Sequence, residues 1–168
     1  MPGLMIIGGA RSGKSRLAQT RAGATGLTPV FIATGQAFDD EMRDRIARHR
    51  DDRGDEWLTI EAPYALAEAI SAQAAQDRVL LVDCLTLWVS NLMLADHDIA
   101  AALDGLAAAI TRAPGPVILV TNEVGWGIVP DNALARRFRD EAGRVNQRVA
   151  ACVDEVMLVC AGLALKLK

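Results

Sequence analysis

"LMIIGGARSGKS", residues 4–15, decides the fold. Four apolar residues enter a glycine-rich turn, and the turn leads into Lys14 and Ser15 at the head of an amphipathic stretch. Gly8, Gly13, Lys14 and Ser15 satisfy the pattern G-x-x-x-x-G-K-S/T, which average composition would produce in roughly one chain in two hundred of this length. The setting sharpens the match. Between a strand and a helix, successive backbone N–H groups and the helix N-terminus can wrap phosphate oxygens. Gly8, Gly9, Ala10, Arg11, Ser12 and Gly13 then form the cradle, Lys14 reaches the β- and γ-phosphates, and the Ser15 hydroxyl ligates Mg²⁺. The chain is read as binding a nucleoside triphosphate.

Outward from this stretch, "PVFIAT", "WLTIEA", "RVLLVD", "PVILVTNE" and "EVMLVCAG" alternate with helical patterns over Lys14 to Ala22, Asp39 to Arg53, Tyr64 to Gln76, Ile99 to Arg112 and Asn132 to Cys152. Such alternation predicts an α/β P-loop domain: a mostly parallel sheet flanked by helices. Runs of Val, Leu and Ile at consecutive positions mark strands covered on both faces. "GLALKLK" follows a glycine and predicts a C-terminal strand in a hairpin with "EVMLVCA". "VSNLMLADHD" is the least regular stretch, a short helix or an excursion from the sheet. No repeat or linker interrupts residues 1–168, so one domain is expected.

The formal net charge of −3 gives no basic field for nucleic acid, and the apolar runs fall far short of a bilayer span. The start "MPGLMIIGG" lacks a basic leader, so a cytoplasmic protein acting on small molecules is expected. Cys84, Cys152 and Cys160 sit in apolar stretches and read as buried thiols. His97 reads as part of a helix start.

"RVLLVD" ends in Asp83, the place where a P-loop protein keeps a carboxylate for its metal. A GTPase switch would carry N-K-x-D at the end of a late strand; this chain has "TNEVGWG" there. Phosphoryl transfer to a small molecule fits these parts. It leaves "DRIARHRDDR", residues 44–53, unexplained. On a helix, His49 shares a face with Arg45 and Arg53 and is flanked by Arg48 and Arg50. Those cations disfavour imidazolium and can hold phosphate oxygens, which suits a nucleophilic histidine. On local composition alone, the nearby acids favour a solvated helix face with an incidental histidine.

Several further stretches carry a resemblance: "FIATGQAFDDEMRDRIARHRDDR", "LLVDCLTLW" and "VTNEVGWGIVPDNALARRFRDEAGRVNQRVAACVDEVMLVCAGLALKLK". With the phosphate cradle, they make the chain resemble the bifunctional adenosylcobinamide kinase/adenosylcobinamide-phosphate guanylyltransferase family, essentially end to end. The resemblance implies a RecA-like P-loop fold and two reactions. Adenosylcobinamide first takes a phosphoryl group from ATP or GTP. GTP then loses pyrophosphate to give a guanylylated histidine, whose GMP passes to adenosylcobinamide-phosphate. It implies that His49 is that histidine and that Gly8 to Ser15, Ala33, Thr34, Gly35, Arg50, Asp51, Asp52, Arg53, Glu61 and Asp83 contact nucleotide. It also implies a homotrimer. A small-molecule P-loop kinase without the covalent intermediate is the alternative.

Overall fold

The computed structural model describes residues 3–36 and 56–168; the helix expected over Asp39 to Arg53, with His49, lies outside them. The described residues build a seven-stranded sheet in the order β3-β2-β4-β5-β1-β6-β7. Its strands are β1 (Leu4–Gly8), β2 (Thr28–Ala33), β3 (Leu58–Glu61), β4 (Arg78–Asp83), β5 (Val117–Asn122), β6 (Glu155–Cys160) and β7 (Leu163–Lys166). All pairings are parallel except β6 with β7, the expected C-terminal hairpin. The helices are α1 (Lys14–Gly23), α2 (Leu66–Gln73), α3 (Leu85–Leu94), α4 (Ile99–Arg112) and α5 (Ala133–Cys152).

Alternate residues of each central strand feed two cores. Met5, Ile7, Val30, Ile32, Leu80, Val82, Val117 and Leu119 point to the face covered by α2 to α5. Leu4, Ile6, Phe31, Val79, Leu81, Ile118 and Val120 point to the face covered by α1. Burying each such side chain contributes about 1.5–3 kcal/mol. The buried face of α1 is made of Lys14, Ala18 and Ala22, one every four residues. The two small alanines let the helix lie close to the sheet, and its first turn thereby stays seated over β4 and β5.

Two sequence expectations are corrected here and one is resolved. Of its two options, the irregular stretch takes the short helix, as part of α3, in which Leu85, Thr86, Trp88, Val89, Asn91, Leu92 and Met93 are all buried. A helix enclosed on nearly every side has no polar stripe, so it lacks the amphipathic period by which helices are read. The helix expected over Tyr64 to Gln76 is trimmed to α2, because Ala74 turns to extended backbone. Of the three cysteines only Cys84 is buried; Cys152 is half-buried and Cys160 is exposed at the hairpin turn on the sheet's edge. His97 precedes α4 as expected, but the cap itself is Asp98, whose Oδ1 accepts from the N–H of Ala101 at 3.0 Å. The His97 ring stacks on Tyr64, with centroids 5.2 Å apart. Among the described residues no helix is long and apolar enough to cross a membrane.

Candidate active site

In a parallel sheet the C-terminal ends of the strands share one edge, and ligands collect there. Register places Gly8 beside Asn122 and Val159, and Ala33 beside both Glu61 and Asp83. The phosphate cradle leaves β1 at Gly8. Its backbone turns through Arg11 at φ 53° and Gly13 at φ 98°, and Gly13 is the left-handed cap from which α1 starts. Such a turn presents successive N–H groups to one side.

The cradle leans on the hairpin beside it. The N–H of Gly162 donates to the Ser12 carbonyl at 2.9 Å. A Cβ at Gly8 would collide with the Val159 carbonyl oxygen, so only glycine lets β1 and β6 pair this closely at the point where the loop departs. Ser12 is buried, and its Oγ has no hydrogen-bond partner among the described residues. An orphaned buried hydroxyl costs about 1–3 kcal/mol, which an oxygen-rich ligand in the loop would offset.

Lys14 folds back over the loop and donates from Nζ to the Gly9 carbonyl at 2.6 Å. Burial pushes its ammonium below the usual lysine range, while the Asp83 carboxylate pulls the other way. Across the sheet, Ser15 Oγ donates to Asp83 Oδ2 at 2.8 Å. Two hard oxygen groups 68 residues apart in sequence therefore meet at the head of α1. Mg²⁺ takes one or two protein oxygens and completes its octahedron with waters and phosphate oxygens. The pair fits that ion.

The remaining candidates fall along the same edge at different distances. Asp83 does not cap α3, whose N-cap is Cys84. Ala33 and Gly35 are half-buried beside it. Thr34 is fully buried, and its hydroxyl is committed to Cys84: it donates to the carbonyl at 2.7 Å and accepts from the N–H at 2.9 Å. Its place at the site is set by backbone. Glu61 is exposed at the end of edge strand β3, four strand spacings from β1, or roughly 19 Å. It does not meet the cradle directly. His49, Arg50, Asp51, Asp52 and Arg53 lie outside the described residues.

Sequence reasoning missed the buried polar residues behind this edge. Asn91 of α3 donates to the carbonyls of Thr34 (2.7 Å) and Pro63 (3.0 Å). Thr86 accepts from the N–H of Asn122 at 2.7 Å. Thr121 donates to Asn146 Oδ1 at 2.7 Å, and Asn146 donates to the Asn122 carbonyl at 3.2 Å. Their one signal was a few polar residues within an apolar run, as in "LTLWVSNLML".

A family model described as cobinamide kinase / cobinamide phosphate guanyltransferase matches residues 4–167. The chain belongs to this family. It is accordingly a bifunctional enzyme of cobalamin biosynthesis, with cobinamide kinase and cobinamide-phosphate guanylyltransferase activities. Relatives in the cobinamide kinase family agree over nearly full length. The chain is 48% identical to the bifunctional adenosylcobalamin biosynthesis protein CobP of Pseudomonas aeruginosa, over 98% of this chain and 96% of that one. It is 47% identical to CobU of Salmonella typhimurium, over 98% and 99%. Among solved structures, the fold is similar to the flagellar accessory protein FlaH of Methanocaldococcus jannaschii. The TM-score is 0.56 at 12% identity, covering 99% of this chain and 78% of FlaH. The RadB recombinase follows at 0.51 and 13%, covering 94% and 73%. At such identities these two establish the RecA-like P-loop fold alone.

Proposed function

We propose that residues 1–168 act as one cytoplasmic catalytic domain, with ATP or GTP held in the Gly8–Ser15 cradle and both reactions run along the same sheet edge. In the kinase step, the hydroxyl oxygen of the adenosylcobinamide side arm attacks the γ-phosphorus. The bond to the β–γ bridging oxygen breaks, the nucleoside diphosphate leaves, and the hydroxyl gives up its proton. Lys14 neutralises the oxygens between the β- and γ-phosphates, and the loop's N–H groups hold them in line. Ser15 and Asp83 would hold Mg²⁺, which supplies charge neutralisation to the phosphates when bound. The observation that carries this reading is the 2.8 Å contact between Ser15 and Asp83 beside a cradle whose buried Ser12 hydroxyl has no partner among the described residues.

In the second step, a ring nitrogen of His49 attacks the α-phosphorus of GTP, the α–β bridging bond breaks, and pyrophosphate leaves. A phosphate oxygen of adenosylcobinamide-phosphate then displaces the histidine and receives GMP. Arg50 and Arg53 grip the phosphates and, with Arg45 and Arg48, keep the ring unprotonated and nucleophilic. Asp51 and Asp52 lie in the same stretch. Glu61 accepts from guanine or ribose donors beside Ala33, Thr34 and Gly35. Support for these roles comes from the residue pattern and the family match over residues 4–167. A homotrimer is part of the proposal. Its support is edge strand β7 and the residue after it, where Leu163, Leu165 and Leu167 fall at alternate positions and are all exposed.

The test is incubation with Mg²⁺ and GTP labelled on the α-phosphate. Wild type is expected to retain label that is labile to acid and stable to alkali, whereas γ-labelled GTP and His49→Ala leave none. An unlabelled wild-type protein with its GTP site occupied would remove the covalent step.

A further inference from the structure

The segment after β5 was absorbed by neither step above. It reads Val124-Gly125-Trp126-Gly127-Ile128-Val129-Pro130, seven consecutive residues without a charge. Trp126 is 78% exposed, Ile128 98% and Val129 62%. Single exposed apolar residues are ordinary, but three large ones within four positions are a patch.

The segment is also held at both ends. It begins where the N–H of Glu123 donates to the Gly8 carbonyl at 3.1 Å, so its root is bonded to the first residue of the phosphate cradle. Glu123 Oε1 accepts from the N–H of Gly125 at 2.6 Å and tightens the first turn. At the far end Arg136 donates to the Pro130 carbonyl at 2.9 Å, and Asn132 caps α5 by accepting from the N–H of Ala135 at 2.8 Å. The segment leaves the end of β5, the strand that pairs directly with the one that carries the cradle.

The substrate is mostly macrocycle. A corrin is a large ring with a mainly apolar, methyl-bearing surface around its metal, and only its side arm has to reach the γ-phosphate. A site that holds the phosphates and nothing else would leave that surface in water. We infer that the loop Val124–Pro130 is the platform for the corrin ring, with Trp126 and Ile128 packing against the macrocycle while its arm enters beside Gly8. A stacked indole provides large contact area at small entropic cost. The leucine face of β7 is another exposed apolar surface, joined to the cradle through the Gly162 N–H. Its residues alternate with Lys166 and Lys168 along an open sheet edge, which suits a second chain better than a macrocycle.

This inference rests on the kinase activity and on the cradle as the donor site, so nucleotide and corrinoid binding are measured separately. Adenosylcobinamide is titrated by equilibrium dialysis into wild type, Trp126→Ala, Ile128→Ser and Trp126→Phe, with ATP affinity, kinase kinetics and sedimentation mass taken on the same samples. Trp126→Ala is expected to weaken corrinoid binding by about tenfold or more and to raise KM for adenosylcobinamide accordingly, with kcat, ATP affinity and mass unchanged. Ile128→Ser is expected to move the same way, and Trp126→Phe to recover most of the loss. Corrinoid affinity equal to wild type in both Trp126→Ala and Ile128→Ser overturns the inference. So does a loss accompanied by a change in mass, which would make the loop a subunit contact, or by an equal loss of ATP affinity, which would make it a support for the cradle.

Discussion

Replacing Gly8 by alanine tests whether the cradle's position is set by its contact with β6. The new Cβ would collide with the Val159 carbonyl oxygen and lie 2.9 Å from Ser12 Oγ. The serine can rotate away; the carbonyl is part of the parallel pairing in which Gly8 faces Val159. Restoring ordinary C···O contact requires β1 and β6 to separate by roughly 1 Å. Overpacking of this kind costs about 1–3 kcal/mol. In a chain of this size that corresponds to a fall in Tm of about 3–10 °C. The catalytic effect should be larger, because a displacement of about 1 Å in a positioned phosphate can cost about a hundredfold in rate. The assay is phosphorylation of adenosylcobinamide under saturating ATP, paired with thermal unfolding. Gly9→Ala serves as the comparison for stability, since a Cβ there meets nothing within 4 Å and should leave Tm close to wild type. A Gly8→Ala protein that melts and turns over like wild type would refute the argument that this close approach sets the cradle.

Asn91→Ala removes two donors from the buried carbonyls of Thr34 and Pro63 and should cost about 2–4 kcal/mol in urea unfolding; an unchanged midpoint would mean that other groups fill the gap. The thiols should separate by environment: at pH 8 an aromatic disulfide reagent should modify exposed Cys160 rapidly, half-buried Cys152 more slowly, and buried Cys84 only on unfolding. Burial pushes the Cys84 thiol from 9.0 up to about 11, leaving about a hundredfold less thiolate than in the unfolded chain. The folded state thus holds this proton more tightly, so its contribution is complete below pH 9.0 and is lost as pH rises towards about 11. A Cys84→Ser variant should flatten that alkaline decline, and equal slopes in the two proteins would count against the assignment.

The cradle, the carboxylate that meets Ser15 and the sheet could be read early because each leaves a local trace. Gly8, Gly13, Lys14 and Ser15 fall within eight residues, Asp83 closes an apolar run, and buried strands are continuous stretches of Val, Leu and Ile. What stayed hidden is non-local or enclosed. Helix α3 shows no amphipathic period because both its sides are inside. Thr34 follows a strand end like a ligand contact, yet its hydroxyl serves the Cys84 backbone 50 residues away. Cys160 sits in an apolar strand but comes last in β6, one residue beyond its pairing with β1 and just before the hairpin turn, and pattern alone does not show where a strand's cover ends.

The hidden residues hold the strand ends of this edge in place. Phosphoryl and nucleotidyl transfer both need their groups held to within a fraction of an ångström, and strand ends are where pairing stops holding the backbone. Here each end is tied to its neighbour by a buried side chain. Thr34 joins the end of β2 to Cys84 after β4. Asn91 joins the same end to the loop after β3. Thr86 and Asn146 hold Asn122 at the end of β5. The N–H of Glu123 passes that constraint on to Gly8 and hence to the cradle. Two of these ties, those of Thr86 and Asn91, start from α3, which accounts for two of the three polar residues in an otherwise apolar helix. Each satisfied buried group adds only about 1 kcal/mol, whereas one left unpaired costs about 1–3 kcal/mol. The chain of ties therefore fixes the relative heights of the strand ends, more through the cost of breaking it than through the gain from making it.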